Sequence, residues 1–225
     1  MFDTAYFFAW VVAFLIGISL REAAKAWVAS RLGDQTPRSQ GRLTLNPTAH
    51  HQPLGLILAF IASLSYPVMA WGKPVEFNTF SLRGGRRGLS LIAAVGLLTN
   101  LVVAWLIWLA SSSYIKSALS RGGQIDFIAD FLLSLITVNL FLFAFNLLPI
   151  PTLDGYTFFK GFTPAKWDLR LIKYEEIGLL ILVILNFIVP FVFGIFSRSS
   201  ANPLFTFIFT PIVRWFAGIL GIAGV

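Results

Sequence analysis

Cysteine is absent from this chain, and histidine occurs only twice, at His50 and His51. The first absence excludes disulfides, thiol nucleophiles and thiolate metal sites, and leaves the redox compartment open. The second confines any imidazole chemistry to one pair of neighbours. Charge is scarce as well: Asp, Glu, Lys and Arg make up 12% of the 225 residues, against about 25% in a typical soluble domain. Acids are the rarer sign, ten against seventeen Lys and Arg. Hydrophobic residues fill the space, 57% of the chain, with a mean hydropathy of +0.79. This composition excludes a soluble domain and implies an integral membrane protein whose first partner is the lipid bilayer. The net charge of +7 would suit a nucleic-acid surface. The basic residues, however, lie mostly in loops between apolar runs, where orientation in a bilayer accounts for them, so no nucleic-acid partner is expected.

A bilayer core of roughly 30 Å needs about 20 apolar residues of helix. Five runs meet that length: Ala5–Leu20 (continuing as helix to Leu32), Leu89–Ala110, Phe127–Leu148, Ile177–Phe196 and Pro203–Val225, the last interrupted by Pro211 and Arg214. The first lacks a basic start and a small-residue exit, so it is expected to stay as a membrane helix rather than be removed as a signal. A sixth run, Leu54–Trp71, is short and contains Pro67. If it dips in and returns, the loops 21–53, 72–88 and 149–176 share one side, with thirteen Lys and Arg against three opposite. If it crosses, the count is eight to eight. Only the first arrangement obeys the positive-inside rule. The expected fold is therefore an all-α polytopic bundle of about five transmembrane helices with a re-entrant segment, its N-terminus outside and the basic loops in the cytoplasm. The Val75/Phe77 alternation adds a small β excursion near Val75–Phe80. Residues 1–160 form the expected membrane core and 161–225 two further C-terminal spans.

Ionisable residues at membrane depth are functional candidates. Two blocks hold them: Arg21-Glu22-Ala23-Ala24-Lys25 at the end of the first run, and Leu147-Leu-Pro-Ile-Pro-Thr-Leu-Asp154-Gly155 after the third. With these blocks the sequence resembles the site-2 proteases, intramembrane zinc metalloproteases, over about residues 14–160. The stretches Trp27-Val-Ala-Ser-Arg-Leu-Gly-Asp34, Gly41-Arg-Leu-Thr-Leu-Asn-Pro-Thr-Ala-His50, Pro53-Leu-Gly55, Trp71-Gly-Lys-Pro-Val75, Arg86-Arg-Gly88 and Asn139 ahead of Phe145–Gly155 follow the family's order. The resemblance implies a cell-membrane, multi-pass protein, in a prokaryotic plasma membrane or a plastid.

In that family the first block reads H-E-x-x-H. Two His four apart hold zinc on one helical face, and the Glu takes a proton from the bound water. The Asp of the second block is implied as the third ligand. Here Arg21 and Lys25 stand at the two His positions, while Glu22 and Asp154 remain. Arginine has no acceptor and keeps its proton; lysine, with a reference pKa of about 10.4, is a poor ligand at neutral pH. No metal and no cofactor are therefore expected, although active members use zinc. Leu97 replaces the proline of the family's G-P-x-x-N element in Gly96-Leu-Leu-Thr-Asn100.

Arg21 and Lys25 together carry the two positive charges a zinc ion would bring. They can close an ion-pair cluster with Glu22 and Asp154, or they can simply snorkel to water; the sequence leaves both open. A relocated site of His50, Glu22 and Asp154 is a further arrangement. His50, Asn100, Asn139 and Asn146 are expected to line a cleft, with generic interhelical hydrogen bonding as the plainer role for the asparagines. Gly218, Gly221 and Gly224 form either a packing face or a loose end. The function expected is that of a pseudoprotease, whose degenerate site at Glu22 does not cut and whose cleft holds a transmembrane helix or another membrane partner. The competing class is an active metalloprotease with rearranged ligands. A transporter is disfavoured because no pair of broken helices repeats across two halves.

Overall fold

A computed structural model describes residues 4–63, 71–121, 126–197, 203 and 205–222. In chain order it contains α1 (Thr4–Arg31), α2 (Thr36–Ser39), α3 (Pro47–His50), α4 (Pro53–Ser63), α5 (Arg86–Ser120), α6 (Phe127–Leu147) and α7 (Asp154–Lys160). A 3₁₀ turn, Ala165–Trp167, leads into α8 (Asp168–Glu176) and α9 (Gly178–Val183). Helical backbone then runs on through a π segment, Ile184–Ile188, into α10 (Val189–Ser197). A second π segment, Phe205–Phe209, precedes α11 (Thr210–Ile219).

Among the described residues, three helices are long and apolar enough to cross a membrane: α1 from Phe7, α5 and α6. They pack on one another as the central trio. Gly17 marks the crossing of α1 with α6: a Cβ there would lie 2.9 Å from Leu142 Cδ1 and 3.1 Å from Asn139 Oδ1. The trio exposes apolar side chains and keeps its few polar ones inside. On α5, Leu98, Val102, Trp105 and Leu109 are exposed, whereas Ser90, Asn100 and Ser111 are buried. A hydrocarbon solvent favours that pattern, because polar side chains find partners only between helices. The C-terminal segments share this core: Leu182, Phe209, Val213 and Ala217 cluster with Trp108, Ile136 and Leu140.

The two ends of the 54–71 segment lie side by side. Lys73 N–H donates to the His50 carbonyl at 2.7 Å, and a Cβ on Gly55 would strike the Trp71 carbonyl oxygen. Arg42 joins the same place, its guanidinium donating to the carbonyls of Ala49 and Pro74. α4 packs Leu58 and Ala59 against Phe14 and Ile18 of α1. The tip of the excursion, 64–70, lies outside the described residues.

The β excursion expected near Val75–Phe80 is not formed: no strand occurs among the described residues, and 79–80 already turn. A strand needs a neighbouring edge for its backbone groups. Those of this loop go to side chains and to His50 instead. Arg42 takes the Pro74 carbonyl, and Asp34 Oδ2 accepts from Asn78 N–H at 2.8 Å.

Candidate functional site

Arg21, Glu22 and Lys25 lie on α1, where Arg21 and Lys25, four apart, share a face. Asp154 reaches them from the first residue of α7, after the chain leaves α6 through Pro149 and Pro151. Arg21 donates from Nε (2.9 Å) and Nη2 (2.7 Å) to Asp154 Oδ2, and Nη2 also reaches Asn146 Oδ1 at 2.7 Å. Its Nη1 lies 2.9 Å from Glu22 Oε1. Lys25 Nζ sits 2.8 Å from Asp154 Oδ1 and 3.3 Å from Glu22 Oε2. Two cations and two carboxylates thus alternate in a closed quartet.

All four side chains are buried: Arg21 and Lys25 are 6% exposed, Asp154 3% and Glu22 2%. Snorkelling is therefore not the state of Arg21 or Lys25. Desolvation of an ion in a low-dielectric interior costs several kcal/mol, and only close pairing with added hydrogen bonds offsets it. Asn146 supplies such a bond, held in place by its own amide on the Leu142 carbonyl at 2.7 Å. Gly96 of α5 backs the quartet. A Cβ there would strike Asp154 Oδ2 and lie 2.7 Å from Lys25 Cδ. The sequence pattern named the Gly96 block without assigning this role to it. Phe77 adds a ring 5.9 Å from Lys25 Nζ.

A cavity of about 230 Å³ opens beside the quartet, bordered by Arg21, Glu22, Gln52, Trp71, Asn146 and Leu182. Thr152 also lines it, with φ of 82°. A β-branched residue in that region is strained, and strain of this kind collects at functional sites. A second cavity, about 350 Å³, lies across Lys25 and Asp154, toward Tyr156, Lys160 and Glu175. Tyr156 donates to Glu175 at 2.8 Å. Burial, then that bond and the Glu175 charge, push its phenol well above the usual tyrosine range.

The other expected cleft residues lie elsewhere. His50 is fully buried, its Nε2 2.7 Å from the Thr44 carbonyl. His51 Nε2 is 3.3 Å from the Leu15 carbonyl, and burial lowers this imidazole below its ordinary range despite that bond. Asn100 and Asn139 are fully buried between the helices, and Asn139 donates to the Leu135 carbonyl at 2.8 Å. Of the four, only Asn146 borders the 230 Å³ cavity. Among the described residues no three His, Asp or Glu converge on a common point.

The donor set is ill suited to a divalent metal. Each carboxylate is bound to both cations, and neither guanidinium nor ammonium has a lone pair to offer.

The chain has relatives among known proteins. The chain is 30% identical over 216 residues to YwhC of Bacillus subtilis, named as a candidate zinc metalloprotease, covering 90% of this chain and 93% of that one. It is 30% identical over 194 residues to Rip2 of Mycobacterium tuberculosis, likewise named, covering 83% and 69%. Rip2 of Mycolicibacterium smegmatis is 28% identical over 187 residues, 78% and 65% of the two chains. No profile of a protein family matches the sequence. No solved structure matches it either.

Proposed function

The chain belongs to the site-2 protease family, the intramembrane zinc metalloproteases, and from that membership we propose that it is a non-catalytic member. On this reading it keeps the family's membrane core and holds a transmembrane segment or membrane partner without cutting it. The observation that carries the reading is the closed quartet of Arg21, Glu22, Lys25 and Asp154. Arg21 and Lys25 take the places of the two zinc-binding His and bring the ion's charge in its stead. A zinc ion would have to displace both from their carboxylates. At about 4 Å and an effective dielectric of about 20, each unit-charge pair contributes roughly 4 kcal/mol, and a divalent ion doubles that repulsion.

The cavity beside the quartet is the proposed remnant of the cleft. The loop 71–78 that borders it has Lys73 N–H, Asn78 N–H and the Pro74 carbonyl already bonded. That favours a helical client over a strand added along Val75. The same reading takes 54–71 as a re-entrant hairpin, Ile177–Phe196 and Pro203–Val225 as two further spans, and the basic loops as cytoplasmic. The paired ends at His50 and Lys73 support the hairpin.

Metal content tests the proposal. The purified parent is expected to hold no zinc, and the double variant Arg21→His with Lys25→His to bind about one equivalent, since Glu22 and Asp154 are already in place. Stoichiometric zinc in the parent, lost on Asp154→Ala, would overturn the reading in favour of an active protease with rearranged ligands.

A further inference from the structure

Away from the quartet, the opposite face of α1 carries two adjoining cavities of unlike character. One, about 670 Å³, is an apolar groove between Leu20, Ala23, Ala24 and Trp27 of α1 and the loop residues Leu43 and Leu45. Thr99 of α5 also lines it, with its hydroxyl donating to the Val95 carbonyl at 2.7 Å. The other, about 520 Å³, is a polar cup holding Ser30, Arg31 and Arg38. Trp27 and Leu43 form walls of both. The groove and the cup therefore adjoin across these two side chains.

The groove's depth matches a single leaflet. From Leu20 to Arg31 the helix climbs roughly 16 Å at about 1.5 Å per residue, close to half of a hydrocarbon core of about 30 Å. Its apolar end lies on a membrane-spanning helix and its cationic end at the last turn of that helix. Both arginines are exposed. The Arg31 guanidinium lies 5.0 Å from the centre of the Trp27 ring, a cation–π contact at the junction. Asp34, the acid nearest in sequence, does not neutralise the cup. It is buried, with its carboxylate turned to the backbone N–H groups of Thr36 and Asn78. Trp27 is 53% exposed and Leu45 63%, so an acyl chain laid in the groove would cover large apolar surface that the protein leaves open.

We infer that this pair of cavities binds one anionic phospholipid, its acyl chain along Leu20–Trp27 and its phosphate held between Arg31 and Arg38. Charge selects the occupant: a zwitterionic lipid would bring a cation into a cup that already holds two. Guanidinium groups suit the phosphate through paired N–H donors. The inference is independent of whether the quartet cleaves, binds zinc or does neither.

The test is native mass spectrometry of the full chain in mild detergent, titrated with dioleoyl phosphatidylglycerol or dioleoyl phosphatidylcholine. One phosphatidylglycerol per chain should be retained, with a preference over phosphatidylcholine of roughly thirtyfold for two arginines. Arg31→Gln with Arg38→Gln should abolish the preference. Ala24→Phe, which fills the groove and changes no charge, should reduce retention of both lipids. Lys166→Gln with Lys173→Gln removes two exposed cations elsewhere and should change neither. Unchanged far-UV circular dichroism guards against misfolding. Equal retention of the two lipids, or an equal loss in the lysine pair, would overturn the inference. A dimer signal that Ala24→Phe abolishes would overturn it too, by assigning the groove to a second copy of the chain.

Discussion

Arg21 is the residue on which the buried quartet depends most, because it alone makes two hydrogen bonds to Asp154 and one to Asn146. Arg21→Met leaves the Asn146 oxygen without that donor and Asp154 with Lys25 only. Breaking a buried pair by removing one partner costs about 3–5 kcal/mol. Thermal unfolding in detergent should register that loss, and Lys25→Met should show a smaller one. Adding Asp154→Asn to Arg21→Met should recover much of it, since no unpaired charge then remains on that side. Unchanged unfolding of Arg21→Met would mean that the arginine reaches water instead. Gly96 offers a second check. Gly96→Ala places a methyl group against Asp154 and Lys25, and overpacking typically costs about 1–3 kcal/mol. Gly218→Ala, on α11, meets nothing within 4 Å and should be neutral or stabilise by up to about 1 kcal/mol through helix propensity. Equal effects at the two glycines would argue against the close approach of α5 to the quartet.

At the scale of elements, α6 begins at an aspartate cap. Asp126 accepts from Ala129 N–H at 2.9 Å and from the Tyr114 hydroxyl of α5 at 2.9 Å. The Ala129 bond first, then Tyr114, hold this carboxyl below its ordinary value. A folded value below the unfolded one means that the stabilisation is present above the unfolded pKa, about 3.9. It is lost as pH falls through the depressed folded value. Asp126→Ala should therefore unfold at a lower temperature than the parent from pH 7 down to about 5. The gap should narrow only below pH 4. A gap that stays constant to pH 2 would mean that ionised Asp126 does not support the start of α6. The loop 71–78 illustrates the opposite case. Its Val75/Phe77 alternation is a genuine strand pattern, but alternation states only which faces differ, and pairing requires an edge. Arg42, His50 and Asp34 hold that backbone instead.

Across the whole molecule, the sidedness of the loops decides how the quartet is reached. Arg21, Lys25 and Arg42 prove buried, so they should be left out of the thirteen basic residues assigned to one side. Ten then remain against three, and the bias survives. The chain has no cysteine, which makes single-cysteine labelling clean. Cysteines at His51, Asn78 and Phe162 should react with an impermeant reagent from one side of sealed vesicles, and a cysteine at Arg121 from the other. Opposite labelling of positions 51 and 78 would mean that the 54–71 segment crosses the bilayer.

Much of this protein was legible without coordinates, because hydrocarbon solvent writes itself into long runs of composition. Membrane residence, the three long helices and the two blocks that meet at the site all follow from local sequence. So does the presence of two cations, Arg21 and Lys25, in the first of those blocks. Tertiary structure was needed wherever the outcome turned on what two distant segments do to each other. Whether Arg21 and Lys25 snorkel or pair depended on Asp154 arriving from 133 and 129 positions away in the chain, at a depth where water could not compete. Asn139 lies on the same apolar run as Asn146 and Asn100 on the run before it, yet of the three Asn146 is the one that bonds Arg21. Helical register and the crossing at Gly17 decide that difference, and neither is a property of composition.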